Sequence, residues 1–164
     1  FANTSGVLTF DGINWTLIRT GLPVKSLAID TSDNTIYVGL KGDIGRLVND
    51  EVGAYKYESL ADKIPEDCNK FSDIWHIEVI PKGDIVFTAT SALFLYHKRD
   101  NDSINVIPTK TGFGGFFRAD GRSFVVVSTV GVKEIKDGKL VDADYLIDAG
   151  SNQVIYIGEK GGRL

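Results

Sequence analysis

The chain is short of the residues on which most site chemistry is built. Its 164 residues include one cysteine, Cys68, two histidines, four prolines and no methionine. A single cysteine allows no internal disulfide, and no Cys or His stands near it at ligand spacing. A disulfide-stapled fold and a structural zinc module are therefore excluded. No apolar run approaches the ~20 residues that cross a bilayer as a helix; residues 124–127 are typical of the longest. Charge of one sign is also lacking, with 18 basic against 22 acidic residues and a formal net charge of -4. That leaves no extended positive field for a phosphate backbone, so nucleic acid is not an expected partner. Helix formers are scarce too: Leu and Ala total 21 residues against 42 for Val, Ile and Thr, and glycine reaches 18. Such a composition suits pleated strands joined by tight turns and predicts an all-β protein. With 43% apolar and 24% charged residues it is neither disordered nor collagen-like. The missing methionine, with Phe1 in first place, leads us to expect a processed chain or part of a longer one.

What is present is a repeat. Without gaps, residues 1–10 (FANTSGVLTF) lie over 87–96 (FTATSALFLY), and both lie over 126–135 (VVSTVGVKEI). Ile36-Tyr37-Val38-Gly39 leading to Gly45-Arg46-Leu47, and Ile155-Tyr156-Ile157-Gly158 leading to Gly162-Arg163-Leu164, follow the same plan, which makes five copies. The small residue closing the first matched strand is Asn3, Gly39, Ala89, Ser128 and Gly158 in turn, at spacings of 36, 50, 39 and 30. Periods near 40 to 50 residues with four short strands each are the signature of propeller blades. In the second copy the strands are read at 24–30, 35–39, 44–48 and 54–57, and in the third at 74–80, 85–88, 93–96 and 103–107. Ser32-Asp33-Asn34, Lys82-Gly83-Asp84, Asp100-Asn101-Asp102, Asp120-Gly121, Asp11-Gly12 and Asp137-Gly138 supply hairpin turns between them. A β-sandwich is the alternative, but it has no reason to repeat its sequence at blade length. The expected fold is thus all-β, a partial β-propeller of about four and a half four-stranded antiparallel blades. The pieces fall at 1–20, 21–60, 71–108, 112–142 and 143–164, with an insertion at 60–70, in one propeller fragment spanning 1–164. Both ends cut through a sheet, so Phe1 and Leu164 are expected within sheets, and the open blade edges are expected to drive self-association.

The stretch Val24-Lys25-Ser26-Leu27-Ala28-Ile29-Asp30, followed by Asn34-Thr35-Ile36-Tyr37-Val38-Gly39 and Gly42-Asp43-Ile44-Gly45, resembles the two-component regulator propeller repeat. The pattern recurs as Ile74-Trp75-His76-Ile77 with Ile85-Val86-Phe87, and Gly6-Val7-Leu8-Thr9-Phe10-Asp11-Gly12 resembles the usual blade ending. Ala89 and Ser128 stand where Gly39 does. The resemblance implies the periplasmic sensor region of a bacterial hybrid two-component sensor or a related membrane-anchored transcription regulator. It also implies a membrane span and an output domain in segments downstream of these residues, and a small-molecule ligand such as a glycan.

In a blade, the connections between strands one and two and between three and four share one end. Those between strands two and three and between blades share the other. The tight turns belong to the first end; the long connections 40–43, 60–70 and 109–115 belong to the second, where a rigid scaffold displays function. We therefore expect a ligand site from Lys41, Asp43, Asp73, Trp75, His76 and Phe113, with Trp75 stacking on a sugar ring or apolar ligand and the charged groups orienting it. The competing reading wedges the aromatics between blades and leaves Lys41 and Asp43 as solvated loop charges.

Catalytic patterns are nearly absent. His76 and Glu78 share one strand face, which can be written as a general-base pair, half a metal site, or a satisfied polar pair at a blade interface. Asp100-Asn101-Asp102-Ser103 lacks the glycine and distal glutamate of an EF-hand loop and reads as a turn. Cys68 has no adjacent base, and Lys160-Gly161-Gly162 is too short for a phosphate loop. No enzyme activity, cofactor or metal is expected. The first functional expectation is a non-catalytic sensor propeller that binds a small ligand or relays a signal. The second is a scaffold propeller that binds protein, and the third a propeller lyase or hydrolase.

Overall fold

A computed structural model describes residues 1–80 and 83–143. The fifth repeat copy, the Lys160-Gly161-Gly162 turn and Leu164 lie outside the described residues, as does Lys82 of the 82–84 turn. The described chain is all-β. It forms four successive antiparallel sheets in which neighbours in sequence are neighbours in the sheet. The first holds β1 (Ala2–Asn3), β2 (Gly6–Phe10) and β3 (Trp15–Arg19), and backbone hydrogen bonds between Phe1 and Leu8 extend the β1–β2 pairing to residue 1. The second holds β4 (Val24–Asp30), β5 (Thr35–Leu40), β6 (Ile44–Asn49) and β7 (Tyr55–Ser59). The third holds β8 (Ile74–Val79), β9 (Ile85–Ala89), β10 (Ala92–His97) and β11 (Ser103–Pro108). The fourth holds β12 (Phe113–Ala119), β13 (Arg122–Val127), β14 (Gly131–Lys136) and β15 (Lys139–Asp142). Strand bounds in the second and third sheets fall within two residues of those read from the sequence.

The hairpins follow from turn chemistry. Asp120-Gly121 and Asp137-Gly138 each place two consecutive residues at positive φ between paired strand ends, the backbone of the type I′ turn whose twist matches that of the strands it joins; Asn101 and Asp102, also at positive φ, end a five-residue loop between His97 and Ser103. Asn and Asp tolerate this region because their short polar side chains bond to nearby backbone groups.

Alternation along the strands gives each sheet two apolar faces, and successive sheets pack face to face. Val7 and Ile18 of the first sheet meet Val38, Leu40 and Leu47 of the second. The opposite face of the second, with Tyr37 and Ile44, meets Phe87, Phe94 and Tyr96 of the third. The far face of the third, with Val86, Leu93 and Leu95, meets Phe113, Val125 and Ile135 of the fourth. Edge-on ring contacts at 6.1 Å join Tyr37 to Phe87 and to Tyr96, a geometry that adds about 0.5–1.5 kcal/mol per pair beyond area burial.

The small residue that closes the second strand of each unit has a packing reason. A Cβ on Gly39 would lie 2.4 Å from Ser26 Oγ and 2.5 Å from Ile74 Cγ2. At this point β4 and β8 run side by side, joined by a hydrogen bond from Ser26 Oγ to the Ile74 carbonyl, 2.7 Å. The corresponding Ala89 is fully buried in the next sheet.

The segment 60–70 is not simply an irregular surface connection. It forms two single 3-10 turns, Ala61–Lys63 and Glu66–Cys68, and drives Leu60 and Ile64 into the core between the second and third sheets. Cys68 packs against the same core. Burial pushes its thiol pKa up, and the Asp67 carboxylate adds to the effect, the reverse of the environment that makes a reactive thiolate.

Candidate functional site

The two ends of the sheet array differ in how they are held. At one end the hairpin turns are tied by charge. Lys98, next to the β10–β11 turn, bonds both Asp30 and Asp33 across the sheet boundary, and His97 Nδ1 lies 2.9 Å from Asp84. Between β4 and β8 at this end opens a groove of about 550 Å³, with Asp30, Glu78, Arg99 and Arg118 among its walls. Most of its charges answer one another: Asp30 is bonded by Lys98, and Arg118 lies 3.6 Å from Glu78 while donating to the Val79 carbonyl.

At the other end run the longer connections. They are held by backbone hydrogen bonds: Lys41 N–H to the Pro23 carbonyl at 3.1 Å, Gly42 N–H to that of Ser72 at 3.1 Å, and Phe113 N–H to that of Thr90 at 2.8 Å. Lys41 and Asp73 form an isolated antiparallel bridge. Here the first strands of the second and third sheets share a local irregularity. The register of β4 against β5 slips between Val24 and Ser26, and that of β8 against β9 slips between Ile74 and His76. Each slip leaves one residue unopposed, Lys25 in β4 and Trp75 in β8, and a bulge of this kind re-aims the side chain that it carries.

The two re-aimed side chains meet. The Lys25 ammonium lies 5.5 Å from the centroid of the Trp75 ring and 3.0 Å from Asp73 Oδ2. The Trp75 indole N–H donates to Thr90 Oγ1 at 3.3 Å. A cation over an exposed ring stabilises the pair by about 0.5–1 kcal/mol; with the Thr90 bond it fixes the ring's orientation. Trp75 is nevertheless 59% exposed, an unusual state for the largest apolar side chain and one that suits a stacking platform. In β12 the register shift falls at Gly114 and Gly115, so the fourth sheet brings no side chain to the corresponding place.

Of the six residues expected at a site, three come together: Lys41, Asp73 and Trp75. Asp43 sits in the same connection, but its carboxylate is engaged inward. Oδ1 accepts from the Ile44 N–H and from Ser59 Oγ, both at 2.8 Å, and Oδ2 accepts from the Tyr57 hydroxyl at 3.0 Å. Burial, reinforced by this carboxylate, raises the Tyr57 pKa far above the usual phenol range, so Tyr57 remains a hydrogen-bond donor. Phe113 is 8% exposed and belongs to the core between the third and fourth sheets. His76 stacks on Phe116 with 5.0 Å between centroids, and its Nε2 lies 3.4 Å from Glu78 Oε2, buried and without a hydrogen bond; the motif lies where the third and fourth sheets meet, but it is not a satisfied polar pair.

Lys25 was not singled out from the sequence. The signal was there: Val24-Lys25-Ser26 and Ile74-Trp75-His76 occupy the same place in consecutive repeats, so a bulge in one implies a bulge in the other. Among the described residues no group of three or more His, Cys, Asp or Glu is arranged to hold a metal ion, and no helix is long and apolar enough to cross a membrane.

No protein-family model matches the chain, and no curated protein matches it.

Proposed function

We propose that the four sheets are successive blades of a partial β-propeller of the two-component regulator kind, and that the chain is a non-catalytic, ligand-binding sensor segment on the outer side of a membrane. Support for the propeller reading comes from the packing order. Each sheet lies face to face on the next, the first strands β4 and β8 run side by side, and short turns and long connections collect at opposite ends. The observation that carries the ligand-binding reading is Trp75, held in orientation by Lys25 and Thr90 yet largely open to solvent, with Asp73 and Lys41 beside it. An exposed aromatic plane next to fixed charges binds the apolar face of a sugar ring while the charges select among its hydroxyl or acidic groups. A ligand that binds one arrangement of the sheets or of their neighbours more tightly than another shifts the population by that difference in affinity, and this is how such a segment relays a signal.

Calorimetric titration with neutral and acidic oligosaccharides tests the reading. Binding is expected for at least one class and is expected to disappear in Trp75→Ala, which should cost only about 1 kcal/mol in urea unfolding and leave the chain folded. Binding that survives Trp75→Ala refutes this site, and no binding across the set favours the protein-interaction reading.

A further inference from the structure

The groove between β4 and β8 lies at the hairpin end, opposite the Trp75 end. The second and third sheets bound it, and each has both of its neighbouring sheets in place. At about 550 Å³ it falls within the roughly 300–1,000 Å³ usual for small-molecule sites. Ala28 on β4 and Ile77 and Val79 on β8 give it apolar walls that continue the core between the two sheets. Of its four charged residues three are answered: Asp30 is bonded by Lys98, and Arg118 faces Glu78. Arg99 is the exception, since among the described residues its guanidinium has no ion pair and no hydrogen bond. The group lies over Gly83, where a Cβ would sit 3.5 Å from Cζ and Nη2. The next carboxylate in that turn, Asp84, is taken by His97 Nδ1 at 2.9 Å.

We propose that this groove is a second ligand site, one for a small organic carboxylate with an aliphatic body. Arg99 takes the carboxylate through the planar fork of N–H donors that matches two carboxylate oxygens, and the body lies on Ala28, Ile77 and Val79. Charge selects the class. With Lys98 set against Asp30 and Arg118 against Glu78, the groove keeps one positive charge in excess, which suits a single carboxylate and repels an organic cation. The Asp30 and Glu78 oxygens in the same walls disfavour a doubly charged phosphate, because like charges brought together across an interface are costly. Aliphatic walls favour an aliphatic body over a polyol. The site is independent of Trp75 and shares no residue with the cluster around it.

The test titrates the full 164-residue chain at neutral pH with hexanoate, hexanamide and inorganic phosphate, followed by proton–nitrogen NMR that includes the arginine Nε–H signals. Hexanoate is expected to bind in the millimolar range or tighter. It should shift the Arg99 Nε–H and the amides of Ala28 and Val79 while the Trp75 indole N–H stays in place. Hexanamide and phosphate should each bind at least about tenfold more weakly, the first for want of a charge-assisted bond. Arg99→Gln is expected to weaken hexanoate binding at least about tenfold, and Arg99→Lys, which keeps the charge without the fork, by less. Lys110→Gln, an exposed cation in the connection at the other end, leaves binding unchanged. Thermal midpoints of both Arg99 variants should match the parent's, since the guanidinium holds nothing within the chain; a lowered midpoint would show it already engaged and overturn the proposal. So would no shift in the groove up to tens of millimolar hexanoate, hexanamide or phosphate binding as tightly as hexanoate, or hexanoate binding that Arg99→Gln leaves intact.

Discussion

Replacing Lys98 with methionine isolates the strongest polar tie between the second and third sheets. The Lys98 side chain is 10% exposed and bonds Asp30, 3% exposed, and Asp33, 47% exposed. Burial by itself would raise the Asp30 pKa, but the hydrogen bonds from Lys98 and Ser32 outweigh it and bring it down to about 2 from 3.8. The sign then follows. A carboxylate whose folded pKa lies below its unfolded value adds stability above the unfolded value, and this is lost as pH falls from about 4 towards 2. The shift corresponds to about 2 kcal/mol. Lys98→Met removes that and leaves a buried, unpaired carboxylate, so the expected loss at pH 7 is about 3 kcal/mol, at the lower end for a broken buried pair because Asp33 is half in water. In a chain of this length that lowers the thermal midpoint by roughly 6–12 °C. With Lys98 gone, only the Ser32 bonds oppose desolvation, so the Asp30 pKa moves up from about 2. Acid then weakens the parent more than the variant, so the gap narrows as pH falls through 4. Adding Asp30→Asn to Lys98→Met should restore more than half of the loss. Urea unfolding followed by far-ultraviolet circular dichroism at a series of pH values reads all three quantities. A loss below about 1 kcal/mol that is flat with pH would show that the tie is a solvated surface pair and refute the reasoning.

Further outcomes follow from the packing. Gly39→Ala drives a methyl against Ser26 Oγ and Ile74 Cγ2 and should cost about 1–3 kcal/mol in urea unfolding, whereas Gly121→Ala, which meets no atom within 4 Å, should cost less and only through its positive φ. Asp43→Ala strips acceptors from Tyr57, Ser59 and the Ile44 N–H; it should lower stability by about 1–3 kcal/mol yet leave ligand titrations that depend on Trp75 unchanged. Tyr96→Phe removes a hydroxyl that donates to Asp102 at 2.5 Å and accepts from Arg46 at 3.2 Å, with an expected cost of about 1–2 kcal/mol in the same assay.

The strands and turns were legible because their signals are local. Alternation in Thr35-Ile36-Tyr37-Val38 and the Asp-Gly pairs at the hairpins depend on a few neighbouring residues, and the structure places β5 and the type I′ turns where those residues stand. Side-chain commitments at the candidate site depend on partners far along the chain. Nothing local marks Asp43 as an acceptor for Tyr57 and Ser59, 14 and 16 residues away, or Phe113 as core rather than rim. Lys25 was passed over because a bulge is an event between two strands; one strand read alone shows only a lysine at the start of an apolar run. Segment 60–70 was read as loop for a related reason. Its two apolar anchors, Leu60 and Ile64, follow neither strand nor helix period, being set by the gap that they fill between sheets.

The ties between sheets are unevenly distributed, and this gives the array a direction. Lys98, Lys63, Arg46, Lys25 and Ser26 all cross from the second sheet or its connections to the third. Among the described residues no ion pair or side-chain hydrogen bond crosses from the first sheet to the second, where Val7, Ile18 and their neighbours supply contact alone. In a linear stack each unit is held only by its neighbours, so the weakest boundary sets where opening begins. The first sheet is therefore the unit that detaches at the least free-energy cost, before the second and third part, and amide exchange in β1 to β3 should run ahead of exchange in β5, β9 and β10. The molecule frays from one side, about a centre that the 60–70 segment and the Lys98 tie clamp shut.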